Sequence, residues 1–103
     1  MAPRALETKE WFLKRLRSSW RGEGSDVRFG GHHFTHGVVI ESGRLRVRAL
    51  VLDERRAEEY RATHASFMPE HAEMLSEPTG EIVYEAGSLE ELIGLIKDGP
   101  WPL

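Results

Sequence analysis

The chain contains no cysteine, and this absence removes several kinds of chemistry at once. Disulfides, a thiolate nucleophile and a cysteine-ligated zinc site are all excluded. Asparagine and glutamine are missing as well, and eleven of the 14 Lys/Arg residues are arginine. The absence of thermolabile amides together with abundant charge predicts a thermophilic source.

Long apolar runs are also missing. No stretch approaches the roughly 20 apolar residues of a membrane-spanning helix, so no membrane segment is expected. The first four residues are not followed by an apolar stretch, which argues against a secretory signal and predicts a cytoplasmic protein. The 103 residues suffice for one domain of ordinary size. We predict a single domain over residues 1–103, with 1–5 and 100–103 as tails.

The charge that is present is unevenly distributed. Residues 1–48 carry ten Lys/Arg and five Asp/Glu, whereas residues 49–103 carry four and twelve. The total is −3, and a chain with this acidic balance is a poor general binder of nucleic acid. The split between a basic and an acidic half nevertheless allows a local basic patch and attraction between copies of the chain.

The spacing of apolar residues divides the chain into helical and extended segments. Helices are predicted over residues 6–20 and 69–75, and two further helices are predicted to start at residues 53 and 88. Extended segments are predicted over residues 26–29, 33–41, 44–52 and 81–86. The order α-β-β-β-α-α-β-α indicates an α+β domain. We expect a largely antiparallel sheet of three to four strands, with helices packed mainly on one face.

Ser42 and Gly43 predict a two-residue hairpin turn between two extended segments. This turn determines which residues face each other, and therefore which side chains share a face of the sheet. The predicted pairs on the apolar face are Ile40–Leu45, Val38–Val47, His36–Ala49 and Phe34–Val51. The other face carries Arg44, Arg46 and Arg48, so one apolar and one basic face are expected.

Three neighbouring histidines, His32, His33 and His36, resemble a metal-binding motif at first sight. In a strand, His32 and His33 point to opposite faces, while His32 and His36 are about 13 Å apart. A metal ion needs each nitrogen at about 2 Å, so we predict no metal site. The glycine pairs lack the lysine and the helix of a phosphate-binding loop. No cofactor is therefore expected.

Four polar side chains are predicted to meet in the core. His36 projects from the apolar sheet face, and Tyr60, His64 and His71 lie on the helical stripe expected to cover that face. Each unsatisfied buried polar group costs roughly 1–3 kcal/mol, so these groups must find partners. They are either half-buried histidines that are satisfied locally, or a catalytic or ligand-binding site in which imidazoles act as acid and base.

The arginines at alternating positions, Arg44, Arg46 and Arg48, form a basic stripe about 13 Å long. Such a stripe binds phosphates or an acidic protein surface, unless it is neutralised across the sheet. The candidate carboxylates for such pairing are Glu41, Glu81 and Glu85. Leu50 and Leu52 follow on the same predicted face, which implies that the first helix or another subunit covers that end.

The sequence contains no known family signature, and it leaves three functional hypotheses open. We favour an interaction module that forms a homodimer through the sheet face carrying Leu50 and Leu52. The first alternative is a small enzyme or ligand-binding protein that uses the His36, Tyr60, His64 and His71 cluster. The second is nucleic-acid contact through the arginine stripe. Trp101 near the end of the chain is expected to dock on its own domain, or else on a partner.

Overall fold

The computed structural model describes residues 8–20, 35–68 and 71–102, and it confirms the predicted α+β class. The helices are α1 (Lys9–Ser19), α2 (Glu54–Thr63), α3 (His71–Met74) and α4 (Leu89–Asp98). The strands are β1 (His36–Glu41), β2 (Arg44–Ala49), β3 (Val51–Leu52), β4 (Ser76–Glu77) and β5 (Ile82–Ala86). The strand predicted over residues 26–29 lies outside the described residues.

The predicted hairpin turn is present. Ser42 and Gly43 have φ angles of 53° and 75°, as the two central residues of a type I′ turn require. The register of β1 and β2 agrees with the prediction at every described position, from Glu41 facing Arg44 to His36 facing Ala49. The turn therefore determines the two faces of the sheet, because side chains alternate along each strand.

The main sheet contains three antiparallel strands in the order β1-β2-β5. Val47 faces Tyr84 and Arg48 faces Ile82, so Val83 is an extra residue that forms a β-bulge in β5. Both outer strands of this sheet are edges in the part of the chain that the structure describes.

Helices α1 and α4 cover one face of this sheet, as predicted. Leu16 of α1, Val47 of β2 and Leu92 of α4 are all fully buried. The core cluster consists of Phe12, Leu13, Leu16, Val38, Leu45, Val47, Ala86, Leu92 and Ile96. Both helices bring several large apolar side chains to this face, and their burial is the main stabilising contribution to the fold.

The expectation that α2 also covers the apolar sheet face was wrong. Ala57 is its only buried residue, and Ala57 is not part of the core cluster. The sequence of α2 offers few apolar side chains besides Ala57 and Tyr60, whereas α1 and α4 each offer several. The more apolar helices occupy the sheet, because they bury more apolar surface there.

The segment predicted as one strand over residues 44–52 is divided at Leu50. β2 ends at Ala49, and Val51 pairs with Glu77 in a separate two-stranded sheet formed by β3 and β4. The predicted pairing of Val51 with Phe34 is not tested, because Phe34 lies outside the described residues. Leu50 packs against the core cluster instead of extending the arginine face.

Helix ends follow the capping rules. Thr8, Asp53 and Ser88 each accept a hydrogen bond from a backbone N–H in the first turn of α1, α2 and α4. The Glu91 carboxylate accepts from the N–H of Gly87, one residue before the cap. None of the helices in the described ranges is long and apolar enough to cross a membrane.

Candidate functional site

The arginines of β2 lie on the sheet face opposite the core, and carboxylates pair with all three. Arg44 and Arg46 donate from Nε to the two oxygens of Glu85, at 2.8 and 2.6 Å. Arg48 donates from Nε to Glu41 at 2.7 Å, and Arg46 reaches the same oxygen at 3.4 Å. These five residues form an arginine–glutamate row of alternating charge across the three strands.

The row also holds its members in place. The side chains of Arg46 and Arg48 are only 24% and 19% exposed, and Arg48 additionally donates to the carbonyl oxygen of Gly80 at 2.8 Å. Hydrogen bonds from Arg48 lower the pKa of Glu41, and those from Arg46 and Arg44 lower the pKa of Glu85. Both carboxyls are therefore ionised at neutral pH and neutralise much of the predicted basic stripe.

The structure brings together three of the four predicted polar side chains. Tyr60 and His64 stack with ring centroids 3.9 Å apart and an interplanar angle of 6°. His71 lies 5.3 Å from Tyr60, and Phe67 packs edge-on against both Tyr60 and His71. The sequence analysis missed Phe67 as a member, although it lies on the same predicted stripe. We call these four residues the aromatic cluster.

Local hydrogen bonds hold both imidazoles of the aromatic cluster. Nδ1 of His64 is 3.1 Å from the carbonyl oxygen of Tyr60 and 2.9 Å from Oγ1 of Thr63. Nδ1 of His71 accepts from the N–H of Met68 at 3.2 Å. Both rings are therefore tied to backbone or side-chain groups of their own segment.

His36 does not join this cluster. Its ring is 5.2 Å from that of Trp101, and its Nδ1 is 2.7 Å from Oγ1 of Thr35. Within the described residues, no ring contact or hydrogen bond joins His36 to Tyr60, and the same is true for His64 and His71. The predicted meeting of four side chains is therefore corrected, because α2 does not lie over the apolar face that His36 enters.

His36 is instead a core histidine beneath the end of the chain. It is 7% exposed, and burial lowers its pKa, an effect that the nearby Glu81 carboxylate partly opposes. Trp101 closes this site: its ring lies 4.5 Å from Phe12, and it packs against the core cluster. Trp101 thus docks on its own domain, and the predicted tail contributes to the core.

Residues 8–20, 35–68 and 71–102 contain no group of three or more His, Asp or Glu side chains arranged to hold an ion. His32 and His33 of the sequence motif lie outside those ranges.

The outward edge of β1 was not identified from the sequence, and it is partly exposed only towards Ile40, since His36 is 7% exposed and Val38 is fully buried. The N–H of Leu50 donates to the carbonyl oxygen of Thr35. Because hydrogen-bonded and non-hydrogen-bonded positions alternate, the odd-numbered residues of β1 form the backbone hydrogen bonds to β2. The backbone groups of His36, Val38 and Ile40 therefore point away from the sheet. No described residue pairs with them. The sequence contained this information, because the hairpin turn also determines which backbone groups of β1 face β2 and which face away from it.

Comparison with known proteins gives no relatives: no known family, no curated protein and no solved structure matches the chain. The functional proposals that follow are therefore based on the contacts and surfaces of this chain.

Proposed function

We propose that the protein is a non-catalytic interaction module that forms a homodimer through the edge of β1. The observation that carries this proposal is the outward side of β1 at the partly exposed Ile40, whose backbone pairs with no residue that the structure describes. A second copy, related by a two-fold axis near Ile40, can pair with this edge in antiparallel orientation. The two sheets then join into one continuous sheet.

The side chains of β1 support self-pairing. Glu41 is its only charged residue, and the strand contains no proline or lysine. Edge strands that must remain unpaired are usually protected by charges, proline or bulges. The bulge in this sheet lies between β2 and β5, on the far side from β1. β1 thus lacks the features that normally keep an edge strand from pairing with another chain.

The sheet face first predicted for the dimer has less support. Leu50 is packed against the core of its own chain, and Leu52 belongs to β3 in the second sheet. Two of the three positive charges on that face are balanced by Glu41 and Glu85, and this also lowers the case for phosphate or nucleic-acid binding.

The catalytic alternative likewise has less support than the interaction module. It required His36 to act together with Tyr60, His64 and His71, whereas His36 contacts Thr35 and Trp101. The stacking of Tyr60 on His64 is accounted for by helical spacing, since residues four apart are neighbours on a helix surface.

The oligomeric state tests the proposal. Sedimentation velocity over a range of protein concentrations should give a species of twice the 11.8 kDa chain mass. In the dimer, the amide hydrogen of the partly exposed Ile40 should exchange slowly with solvent, because it becomes bonded across the new interface. A monomer at all concentrations, or fast exchange of this amide in a dimer, contradicts the proposal.

A pair of matched variants locates the interface. Val39→Lys places a charge on β1 and should convert the dimer into a monomer. Val51→Lys makes the same substitution at a 47% exposed valine of β3 and should leave the dimer intact. Circular dichroism establishes that both variants fold, and equal loss of the dimer in both would exclude the β1 edge.

A further inference from the structure

We propose that the opposite edge of the sheet, β5 with the groove beside it, binds an extended basic segment of a partner protein. In this interaction the segment adds to β5 as a further strand. The proposal goes beyond the homodimer, since it concerns a different edge of the sheet and a different occupant.

The backbone of β5 is available for such pairing. Ala49 exchanges hydrogen bonds with Glu81 and Gly80, which indicates that odd-numbered residues of β2 bond towards β5. Glu85 faces the even-numbered Arg46, so its backbone N–H and C=O point away from β2. In the part of the chain that the structure describes, no residue bonds to this outward side.

Two pockets adjoin β5. One, of about 490 Å³, lies against α4 and includes Gly94 and Leu95, and the other, of about 450 Å³, includes Ile82 and Pro100. Tyr84 lines both pockets and donates its hydroxyl hydrogen to the carbonyl oxygen of Pro100. We call these two pockets together the β5 groove.

Both apolar and acidic side chains line the β5 groove. Ile82 and Leu95 are 38% and 43% exposed. The charged lining residues are Glu81, Glu91 and Asp98, and none of the lining residues is basic. No described basic side chain forms an ion pair with any of these three carboxylates.

These features select one kind of occupant. An open edge requires an extended backbone, and strand addition obtains its affinity from main-chain hydrogen bonds. The side chains of an added strand alternate between the two faces of the sheet. Ile82 faces Arg48 on the charged face, whereas Glu91 and Asp98 belong to α4 on the other face. A segment in which lysine or arginine alternates with apolar residues can therefore contact both. A second copy of β5 fits poorly, because it would bring Glu81, Glu91 and Asp98 of both copies towards one another.

A labelled synthetic peptide tests the proposal on the full chain. The probe is a nine-residue peptide that alternates lysine and valine, and fluorescence anisotropy measures its binding at low salt. Binding should shift the backbone amide resonances of β5, most of all that of Glu85. A peptide with proline in place of every valine keeps its charge, loses those N–H donors, and should bind at least about tenfold more weakly.

Matched protein variants test the charge argument. The double variant Glu81→Gln, Asp98→Asn should weaken binding of the lysine peptide by about fivefold, a size expected for two exposed ion pairs. The control Glu58→Gln, Glu90→Gln removes two exposed carboxylates outside the β5 groove and should leave the affinity unchanged.

Several outcomes would overturn the proposal. They are absence of peptide binding, equal affinity for the proline peptide, an equal effect of both double variants, or resonance shifts confined to residues outside β5. Self-association of the chain through β5 would also overturn it. Because the homodimer is tested at β1 by Val39→Lys, failure at one edge is distinguishable from failure at the other.

Discussion

The two faces of the main sheet use the same strands in opposite ways. One face is apolar and is sealed by α1, α4 and Trp101. The other carries the arginine–glutamate row, on which no element of the described chain packs. The first face is stabilised by removing surface from water, and the second by pairing charges that remain partly in water. The comparison shows that the core face should dominate stability, while the charged face keeps the second side of the sheet in solution.

The largest expected effect is on the core face. Leu92→Ala should lower the free energy of unfolding by about 2–5 kcal/mol, because it leaves a cavity where the side chain is fully buried. The control Leu95→Ala, on the same helix at 43% exposure, should change it by about 0.5 kcal/mol or less. Urea denaturation measures both, and equal losses would mean that α4 does not face the sheet in this way.

A smaller effect concerns His36, the polar residue of the core face. Because burial lowers its pKa below 6.5, the unfolded chain binds a proton more readily than the folded chain. The folded state is therefore not penalised by protonation of His36 above pH 6.5, and the free energy of unfolding decreases as the pH falls below that value. Urea denaturation between pH 8 and pH 5 should show the decrease.

The variant His36→Gln should abolish this part of the pH dependence, since glutamine does not titrate. His64→Gln serves as its control, because His64 is exposed and lies in the aromatic cluster. If the decrease between pH 6.5 and pH 5 persists in His36→Gln, another group is responsible for it.

On the charged face, Glu85→Gln should destabilise the protein less than any deletion in the core. The pKa of Glu85 is lowered by its hydrogen bonds to Arg46 and Arg44, so its contribution is complete above pH 4.5 and is lost as the pH falls below that value. The difference between the variant and the original chain should shrink in high salt, which screens exposed charges. Glu90→Gln, an exposed carboxylate of α4 without an ion pair to a described residue, should show no such salt dependence.

The smallest effect should come from the turn that separates the two faces. Ser42 has a positive φ angle, which asparagine adopts more readily than serine, and Asn-Gly is the preferred pair in type I′ turns. Ser42→Asn should therefore raise the free energy of unfolding by on the order of 0.5 kcal/mol. A loss of stability in thermal unfolding would contradict the assigned turn type.

Local patterns were sufficient to predict one part of the fold. The turn at Ser42 and Gly43 and the alternation of its flanking residues determined the register, because both depend only on neighbouring residues. Of the three carboxylates named as candidate partners of the arginines, Glu41 and Glu85 form ion pairs with them in the described structure and Glu81 does not.

Competition between distant segments decided the rest. Tyr60 and His64 lie at helical spacing, but spacing alone cannot show that α1 and α4 offer more apolar surface and occupy the sheet instead. The division at Leu50 was equally invisible, since alternation continues through β3, which pairs with β4 in a second sheet. For this reason the predicted site of four residues became an aromatic cluster and a separate core histidine.

The two-residue turn has a consequence for how the sequence tolerates insertions. One additional residue in the hairpin, if it were absorbed as a register slip, would exchange the inward and outward positions of a whole strand. Arginines would then enter the apolar interior, and Val47 would be placed in water. Insertions in this turn should consequently be restricted to those that a bulge or a longer loop can absorb. The pairing of β3 with β4 does not add to this restriction, because those strands form a separate sheet.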